Sequence, residues 1–316
     1  MYIDFKEAAD FLRSCDDAAI VIHRSPDGDC IGSGYALKEI LTQLGKRSKV
    51  VCSDEIPERY SFLVKNDDAD FEPKSVIAVD IADKKLMGGL AEIYGGCTQL
   101  CIDHHISNTD YAEKTLLNGK AAAACEVIFD LAEYMGLTLT THCAKCLYTG
   151  LATDSGCFRF SNTSPHTHET AAKLMAYDGI DFALINRKMF EVKSRIRVKI
   201  EGRLNEISEE YSDGKLMIIG VTQSLINELG VAEEEFEGFA NVTIQFEETE
   251  VGVLMREREN GEIRCSFRSS YDVDVSEICR NFGGGGHSKA AGCTFNCSMD
   301  EAKKLVAEAV ERAVSE

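Results

Sequence analysis

The chain of 316 residues contains no run of 18 or more apolar residues and no basic-then-apolar segment at its N-terminus. The first absence argues against a membrane-spanning helix, and the second gives no sign of a secretory signal. Tryptophan is absent, proline occurs four times and aromatic residues make up 8%. No aromatic-rich surface for stacking bases and no proline-rich linker is therefore visible. We expect no membrane partner.

Basic residues are scarce. The chain has 34 lysines and arginines against 53 aspartates and glutamates, a formal net charge of −19. Long duplex nucleic acid is bound mainly by neutralising many phosphates, and no basic tract is present to do so. The expected ligand is therefore small, or is bound only by its end. A phosphorylated ligand also needs a local positive charge, such as metal ions.

Thirteen cysteines are scattered without a repeated spacing in a chain too long to need disulfide staples. This usage is typical of reduced thiols, so we expect the cytoplasm as the location. The CxxC pair Cys143 and Cys146 has no second pair with zinc-finger spacing, and we interpret it as two buried thiols. His166 and His168 follow Pro165 at a predicted helix start and are left out of the site.

The first half of the chain alternates strands with helices, which predicts a parallel sheet covered on both faces. The four predicted strands are AAIVIH (18–23), SKVVCS (48–53), SVIAVD (75–80) and TQLCID (98–103). Helical periodicity dominates 141–190 and continues to about residue 212. We predict an α/β N-terminal domain over 1–190, joined by a helical linker, 191–212, to a second domain.

The second domain, 213–316, has a different pattern. KLMIIGV, NVTIQFEE, EVGVLMRE and EIRCSFRS predict strands, ENGE predicts a hairpin turn, and MDEAKKLVAEAVERAV predicts a final helix. The expected fold class of this part is a smaller α+β domain with a mixed sheet.

Ionisable residues follow three of the predicted parallel strands, where ligands of such sheets bind. Singly, each has an ordinary interpretation, such as a polar loop, a helix N-cap or a core histidine. Together, carboxylates and imidazoles at one edge would repel strongly without cations. Their oxygen and nitrogen donors suit Mn²⁺ or Mg²⁺ better than Zn²⁺, and their number suggests two ions. The predicted cluster comprises His23, Asp27, Asp29, Asp80, Asp103, His104, His105 and Asp154.

A second candidate region lies in FGGGGHSKAAG. Glycine lets backbone N–H groups approach an anion closely, although four glycines more often form a flexible loop. Arg268 ends a predicted strand and is able to bind a terminal phosphate with help from Ser269, unless it is an ordinary solvated charge. The candidate substrate residues are Arg268, Ser269, Gly284, Gly285, Gly286 and His287.

These segments also carry a resemblance. HRSPDGDCIGS, AVDIAD, IDHHISN and ATDSG resemble, in order, the four motifs of the DHH phosphoesterase family. RNFGGGGHSKAAG resembles the glycine-rich signature of the C-terminal domain in its RecJ-like branch. In size and layout the chain is similar to the NrnA group, which hydrolyses very short oligoribonucleotides and 3′-phosphoadenosine 5′-phosphate (pAp).

The resemblance implies residue roles. Asp80 would bridge two ions, Asp103 would orient a ligand histidine, and His105 would face the scissile phosphate. Cys30 stands where the family often has alanine and is not expected to touch the ligands. Mn²⁺ is the expected ion, with Mg²⁺ and Co²⁺ as alternatives. One ion would be held by His23, Asp27 and Asp80, and the other by Asp29, Asp80, His104 and Asp154.

The implied reaction is attack on phosphorus by a hydroxide bridging the two ions, which needs no serine or cysteine nucleophile. Substrates would be short single-stranded oligonucleotides and linear dinucleotides, cleaved to nucleoside 5′-monophosphates, or pAp, converted to AMP. The C-terminal residues would hold the substrate end across a cleft, and long duplexes would be excluded. A homodimer is left open.

Three alternatives stay open at this point. A pyrophosphatase-like enzyme would act on another small phosphoanhydride, but the glycine-rich tail argues against it. A cyclic-dinucleotide phosphodiesterase usually brings membrane and sensor segments, of which there is no sign here. A non-catalytic RNA- or nucleotide-binding module would not need the full set of carboxylates. The preference between RNA and DNA and the polarity of cleavage are not determined by these motifs.

Overall fold

A computed structural model describes residues 1–65, 71–236 and 238–315. Contacts divide the chain into two compact units, Met1–Val192 and Lys193–Glu316. Within the described residues, no helix combines the length and the hydropathy that crossing a bilayer requires.

The first unit is built on a five-stranded parallel sheet with the order β2-β1-β3-β4-β5. The four strands predicted from sequence are confirmed, and a short fifth strand follows them at one edge. The sheet and its parallel direction therefore agree with the predicted α/β class. The strands are β1 (Ala18–Val21), β2 (Ser48–Val51), β3 (Ser75–Val79), β4 (Leu100–Asp103) and β5 (Lys114–Leu117).

Both faces of this sheet are buried, because side chains alternate between them along each strand. Ile20 and Ile77 pack with the long helices on one face, whereas Val21 and Ala78 pack around Met87 on the other. The α-helices are α1 (Phe5–Ser14), α2 (Gly28–Gln43), α3 (Ala91–Tyr94), α4 (Ala124–Tyr134), α5 (Thr141–Asp154), α6 (Pro165–Met175) and α7 (Phe182–Asn186). Shorter 3₁₀ turns span Glu58–Leu63 and Lys84–Leu90, and a π turn spans Arg187–Glu191.

Helix α2, predicted to be amphipathic, is buried along most of its length. The reason is a close crossing with α5: a Cβ added to Gly32 would lie 2.4 Å from the carbonyl oxygen of Cys146. Glycine at this position lets the two backbones approach, so the helix is covered by the sheet on one side and by α5 on the other.

The second unit contains a six-stranded mixed sheet with the order β10-β11-β9-β8-β7-β6, in which β7 and β8 are parallel and the other pairs antiparallel. The predicted hairpin at ENGE is confirmed between β8 and β9. The strands are β6 (Ser208–Tyr211), β7 (Leu216–Val221), β8 (Val251–Glu257), β9 (Ile263–Ser269), β10 (Gly285–His287) and β11 (Ala290–Phe295).

Two predicted segments differ in the structure. NVTIQFEE is not a strand: Phe239–Ile244 forms a 3₁₀ helix that packs on β8, where a Cβ at Gly252 would lie 2.1 Å from the Thr243 hydroxyl oxygen. The helical pattern expected to continue to residue 212 ends at Glu206. Ser208–Tyr211 instead pairs with β7 through a tight turn at Ser212 and Asp213, both with positive φ. In both segments, contacts with neighbouring strands determine the secondary structure, and the local sequence pattern does not.

Helices pack on both faces of this second sheet. Helices α10 and α11 pack on one face against residues such as Val253 and Phe267. On the other face α8, α9 and the 3₁₀ segment pack over β7 and β8, against residues such as Leu254. The helices are α8 (Arg195–Glu206), α9 (Gln223–Leu229), α10 (Val275–Arg280) and α11 (Met299–Ser315).

Candidate metal centre and substrate residues

The strand order places a crevice beside β1 and β3. The chain leaves β1 for β2 on one side and enters β4 from β3 on the other, and ligands of such sheets bind at this reversal, beyond the carboxyl ends of the strands. His23 follows β1, Asp80 follows β3, and Asp103 ends β4. The predicted cluster therefore lies at the edge where this fold forms a binding site.

His23 faces two carboxylates with one ring nitrogen. Its Nδ1 donates to the carbonyl oxygen of Arg24 at 2.7 Å, so in the neutral ring Nε2 carries the lone pair. Nε2 lies 3.6 Å from Asp27 Oδ1 and 3.6 Å from Asp80 Oδ2. These distances are too long for hydrogen bonds, but shorter than twice a metal–ligand bond of about 2.1 Å. The three atoms are spaced to share one cation.

His104 forms a second group of the same design. Its Nδ1 donates to the carbonyl oxygen of Ala121 at 3.2 Å. Its Nε2 lies 3.3 Å from Asp154 Oδ2, 3.5 Å from Asp80 Oδ1 and 3.8 Å from Asp29 Oδ2. Three carboxylates thus surround one imidazole nitrogen.

Asp80 belongs to both groups. Oδ2 faces His23 and Oδ1 faces His104, and the residue is 3% exposed. Its φ is +57°, in the left-handed region that non-glycine residues rarely adopt. The backbone N–H donates to the carbonyl oxygen of Ile102 on β4 at 3.0 Å, so the sheet holds this conformation. Strain of this kind is typical of functional positions.

Asp103 orients His105 rather than the ligand histidine that we expected. Asp103 Oδ1 accepts from His105 Nδ1 at 2.8 Å and from the backbone N–H of His104 at 2.8 Å, while Oδ2 accepts from Asn108 at 2.6 Å. The ring of His104 has Ala121 as its partner instead. The Asp103 hydrogen bond raises the pKa of His105, whose side chain is 44% exposed.

Asp27 and Asp29 each serve a helix as well as the cluster. Asp27 is the N-cap of α2 and accepts from the N–H groups of Asp29 and Cys30. Asp29, fully buried, accepts from the N–H groups of Ala124 and Cys125 at 2.6 and 2.9 Å, and so caps α4 from a distant part of the chain. These helix N-termini hold both carboxylates in fixed positions.

The carboxylates of the cluster differ in pKa, because neighbouring carboxylates cannot all be ionised at little cost. Burial and the neighbouring Asp80 raise the pKa of Asp154 to about 6, and burial also raises the pKa of Asp29 well above its usual range. Burial opposes ionisation of Asp80 as well, but the two histidines outweigh it and lower its pKa. On His104 burial opposes the charge, whereas the carboxylates raise the pKa to about 10.

The cluster fits divalent cations. Asp80 Oδ1 and His104 Nε2 are both buried, have no hydrogen-bond partner among the residues that the structure describes, and face each other. Orphaned atoms of a carboxylate and an imidazole are what a cation between them would satisfy. Cys30, which we did not expect among the ligands, adds a thiol to one group. Among the described residues, three groups have donor atoms close enough together to hold an ion: His23, Asp27 and Cys30; Asp80, His104 and His105; Asp29, His104 and Asp154.

The substrate residues predicted in the second unit lie on both faces of its sheet. Strand register aligns Arg268 with Ala290, and Ala290 with His287, so these three form one row across β9, β11 and β10. Arg268 is held by Asn241, which accepts from its Nε at 2.9 Å. Ser269 is different. It follows Arg268 on the strand, points to the opposite face and donates to the carbonyl oxygen of Tyr271, so it does not assist Arg268.

The glycines have separate roles. A Cβ at Gly284 would lie 2.2 Å from the carbonyl oxygen of Gly292, and Gly286 has a φ of +146°. These two glycines are required for β10 to pair closely with β11, so the segment is an edge strand and not the loop we considered. Gly285 faces open space. The backbone of Gly285 is therefore open to an approaching anion.

Two regions that we set aside in the sequence lie apart from the cluster. Cys143 and Cys146 are free and buried on α5, as predicted. His166 begins α6 and bonds Asp130 on α4 at 2.8 Å. Phe158 stacks on His168.

Comparison with known proteins agrees with this architecture. The model of the "DHH family, N-terminal domain" matches residues 17–151, and that of the "DHHA1 domain" matches residues 214–316. The bifunctional oligoribonuclease and PAP phosphatase NrnA of Thermus thermophilus is 31% identical over 305 residues, which are 94% of this chain and 90% of that protein.

Two solved structures share the fold. An exopolyphosphatase-related protein from Bacteroides fragilis has a TM-score of 0.86 at 24% identity, over 99% of this chain and 97% of that one. RecJ of Thermus thermophilus, solved in complex with Mn²⁺, has a TM-score of 0.50 at 14% identity, over 98% of this chain and 55% of RecJ. The resemblance drawn from the five motifs is confirmed, and the chain belongs to the DHH family, with a DHHA1 domain in its second unit.

Proposed function

We propose that the chain is a phosphoesterase with two divalent cations in its first unit, acting on short single-stranded oligonucleotides, linear dinucleotides and pAp. The observation that carries this proposal is the position of Asp80, whose two oxygens face two different histidines. One carboxylate placed between two nitrogen-and-oxygen groups is the arrangement of a bridging ligand in a dinuclear centre. The activity agrees with the name of the Thermus thermophilus relative.

The proposed ligands follow the geometry. Mn²⁺ is the proposed ion because the donors are mainly oxygen with one imidazole in each group, and Mg²⁺ or Co²⁺ are the alternatives. Such ions, when bound, lower the pKa of water and polarise phosphoryl oxygens. His23, Asp27 and Asp80 would hold one ion, and Asp29, Asp80, His104 and Asp154 the other.

The remaining residues position the substrate and move protons. Because His105 Nδ1 donates to Asp103, its Nε2 is the free nitrogen of the ring. The raised pKa keeps this ring protonated to higher pH, so that Nε2–H donates to a phosphate oxygen of the substrate. Asp103, fully buried and held by Asn108, fixes the ring orientation and acts through His105.

The second unit supplies the contacts that select short substrates. Arg268 and His287 lie in one row of the sheet, and we propose that they bind a terminal phosphate of the substrate, with the backbone of Gly285 beside them. The products would be nucleoside 5′-monophosphates from oligonucleotides and AMP from pAp. Long duplexes would be excluded by the net charge of −19.

We also propose the cytoplasm as the location of this enzyme. All thirteen cysteines are free in the structure, and nine of them are buried. Reduced thiols in such number are typical of a reducing compartment.

A panel of four substrates tests the function: pAp, a 5′-labelled dinucleotide, a single-stranded 24-mer and pyrophosphate, each with Mn²⁺. We expect hydrolysis of pAp and the dinucleotide, with the 24-mer at least about tenfold slower because only its end is bound. Pyrophosphate as the preferred substrate would support the pyrophosphatase-like alternative. Binding of the dinucleotide without turnover of any substrate would support the non-catalytic module.

A further inference from the structure

The second sheet carries an open groove beside Arg268 that extends beyond the residues assigned above. It has a volume of about 580 Å³. Side chains of a strand alternate between faces, so Arg264, Ser266 and Arg268 of β9 all point into the groove, while Cys265 and Phe267 point into the core. The groove lies beside α8, α9 and the 3₁₀ segment, which pack over β7 and β8 and reach β9 at Arg268 through Asn241.

The floor of the groove is made of small residues. Register places Thr294 opposite Arg264, Gly292 opposite Ser266, and Ala290 opposite Arg268, and Gly285 continues the middle row. Thr294, Gly292, Ala290 and Gly285 carry small side chains or none, so a phosphate backbone is able to lie along β9 over these rows. The row of Arg268 and His287 would form one end of this path, and Arg264 the other.

The arginines of the groove are not neutralised by the protein. Within the described residues, neither Arg264 nor Arg268 has a carboxylate within 4.0 Å, although the chain has 53 acidic residues. Arg256 lies directly across from Arg264 on β8, and its ion pair is with Glu233 at 2.8 Å. Glu233 therefore offsets the charge of Arg256, whereas the exposed Arg264 keeps its own charge for an anion in the groove.

The distance between Arg264 and Arg268 suits two different phosphates of one nucleic-acid strand. Arg264 and Arg268 are four residues apart on a strand, so their Cα atoms lie about 13 Å from each other. This exceeds one step of a nucleic-acid strand, whose stacked rise is about 3.4 Å per nucleotide. The two guanidinium groups are therefore placed to contact different phosphates of one strand rather than a single phosphate.

We propose that Arg264 and Ser266 form a second phosphate subsite, which binds the backbone of oligonucleotides of three or more nucleotides and is not used by pAp. The inference rests on the proposed function, because it assumes that Arg268 binds the terminal phosphate. With this subsite, the second unit would distinguish short substrates from longer ones. One row of the sheet suffices for pAp, whereas longer oligonucleotides occupy both rows.

The test compares full-length wild type with Arg264→Ala, Arg268→Ala and the control Arg280→Ala, an exposed arginine of α10 that is paired with Glu277. For Arg264→Ala we expect kcat/KM on a 5′-phosphorylated tetranucleotide to fall about tenfold or more through KM. Its kcat/KM on pAp should stay within about twofold of wild type. Arg268→Ala should lower both, and Arg280→Ala neither.

A binding measurement separates the subsite from the chemistry. Fluorescence anisotropy of a labelled tetranucleotide, with EDTA present to prevent turnover, gives the slope of log K against log salt. Arg264→Ala loses one phosphate contact, so the magnitude of that negative slope should decrease by about 0.7. Arg280→Ala should leave the slope unchanged. This result would stand even if the wild type hydrolysed neither substrate, a failure that belongs to the proposed function alone.

Two outcomes would overturn the subsite. One is a tetranucleotide affinity and salt slope of Arg264→Ala equal to those of wild type. The other is an equal loss on pAp and on the tetranucleotide, which would mean that Arg264 acts on the fold or on the Arg268 row.

Discussion

At the scale of single residues, the candidate centre depends on one carboxylate that is shared by the His23 group and the His104 group. Asp80 is the residue that both histidine groups share, and it is buried in a left-handed conformation held by β4. His105 lies at the same edge, but its Nδ1 is already bonded to Asp103. The two residues should therefore respond differently to mutation, one through metal content and the other through turnover.

Asp80→Asn should lose bound Mn²⁺ and hydrolysis together, because an amide cannot bridge two cations as a carboxylate does. His105→Ala should retain the ions of wild type and lose turnover by about 100-fold or more, as removal of one hydrogen-bond donor to the reacting phosphate does. Elemental analysis after gel filtration and initial rates on pAp make the comparison. Loss of an ion from His105→Ala would place this histidine among the ligands, and full activity of Asp80→Asn would exclude the bridge.

At the scale of elements, α4 connects the candidate metal cluster, at the carboxyl edge of the first sheet, with α6. Its N-terminus is capped by Asp29 of α2, and its residue Glu126 accepts from the hydroxyl of Thr167 at 2.9 Å. One turn later Asp130 bonds His166 at the start of α6. Burial of His166 opposes its charge, but Asp130 outweighs it and raises the pKa of the imidazole.

This contact predicts a pH dependence of stability. The folded-state pKa of His166 is above the unfolded value, so its contribution is fully present below about pH 6.5 and is lost as the pH rises through the folded-state pKa. With a half-exposed histidine, wild type should be more stable than His166→Gln by about 0.2–1 kcal/mol near pH 6, and by less at pH 9. Urea unfolding at both pH values measures this. A difference that grows towards pH 9 would contradict the assignment.

At the scale of the whole molecule, the two units have separate cores, and the residues proposed to hold metal lie only in the first. A ligand stabilises the unit that binds it, by about 2.7 kcal/mol at a hundred times its Kd. Mn²⁺ should therefore stabilise the two units unequally.

Hydrogen exchange of the full chain, with and without Mn²⁺, tests this. Protection should increase in β1, β3, β4 and the N-terminus of α4, and stay the same in β7, β8 and β9. The Asp80→Asn chain serves as control and should show little response in either unit. An equal increase in both units of the wild type would mean that the ions act on the chain as a whole.

Much of the fold and of the site was predictable from the sequence. Buried strands followed by ionisable residues predicted a parallel sheet with a cluster at one edge, because the carboxyl ends of parallel strands meet there. Strands β5, β6, β10 and β11 escaped prediction, since a strand that is short, or rich in alanine and glycine like β11, owes its conformation to the neighbours it pairs with. For the same reason the 3₁₀ segment at 239–244, whose pattern suits a strand, follows the surface of β8 instead.

Sequence alone determined which residues meet at the carboxyl edge of the first sheet, and the family to which they belong, because strand direction and motif spacing are properties of the chain. Tertiary structure alone decided the partners within that edge and in the second sheet. Asp103 bonds His105, Cys30 joins the His23 group, Ser269 faces away from Arg268, and Arg264 shares its groove. The physical reason is that these contacts depend on register, side-chain face and neighbouring helices, which are set only when distant segments pack together.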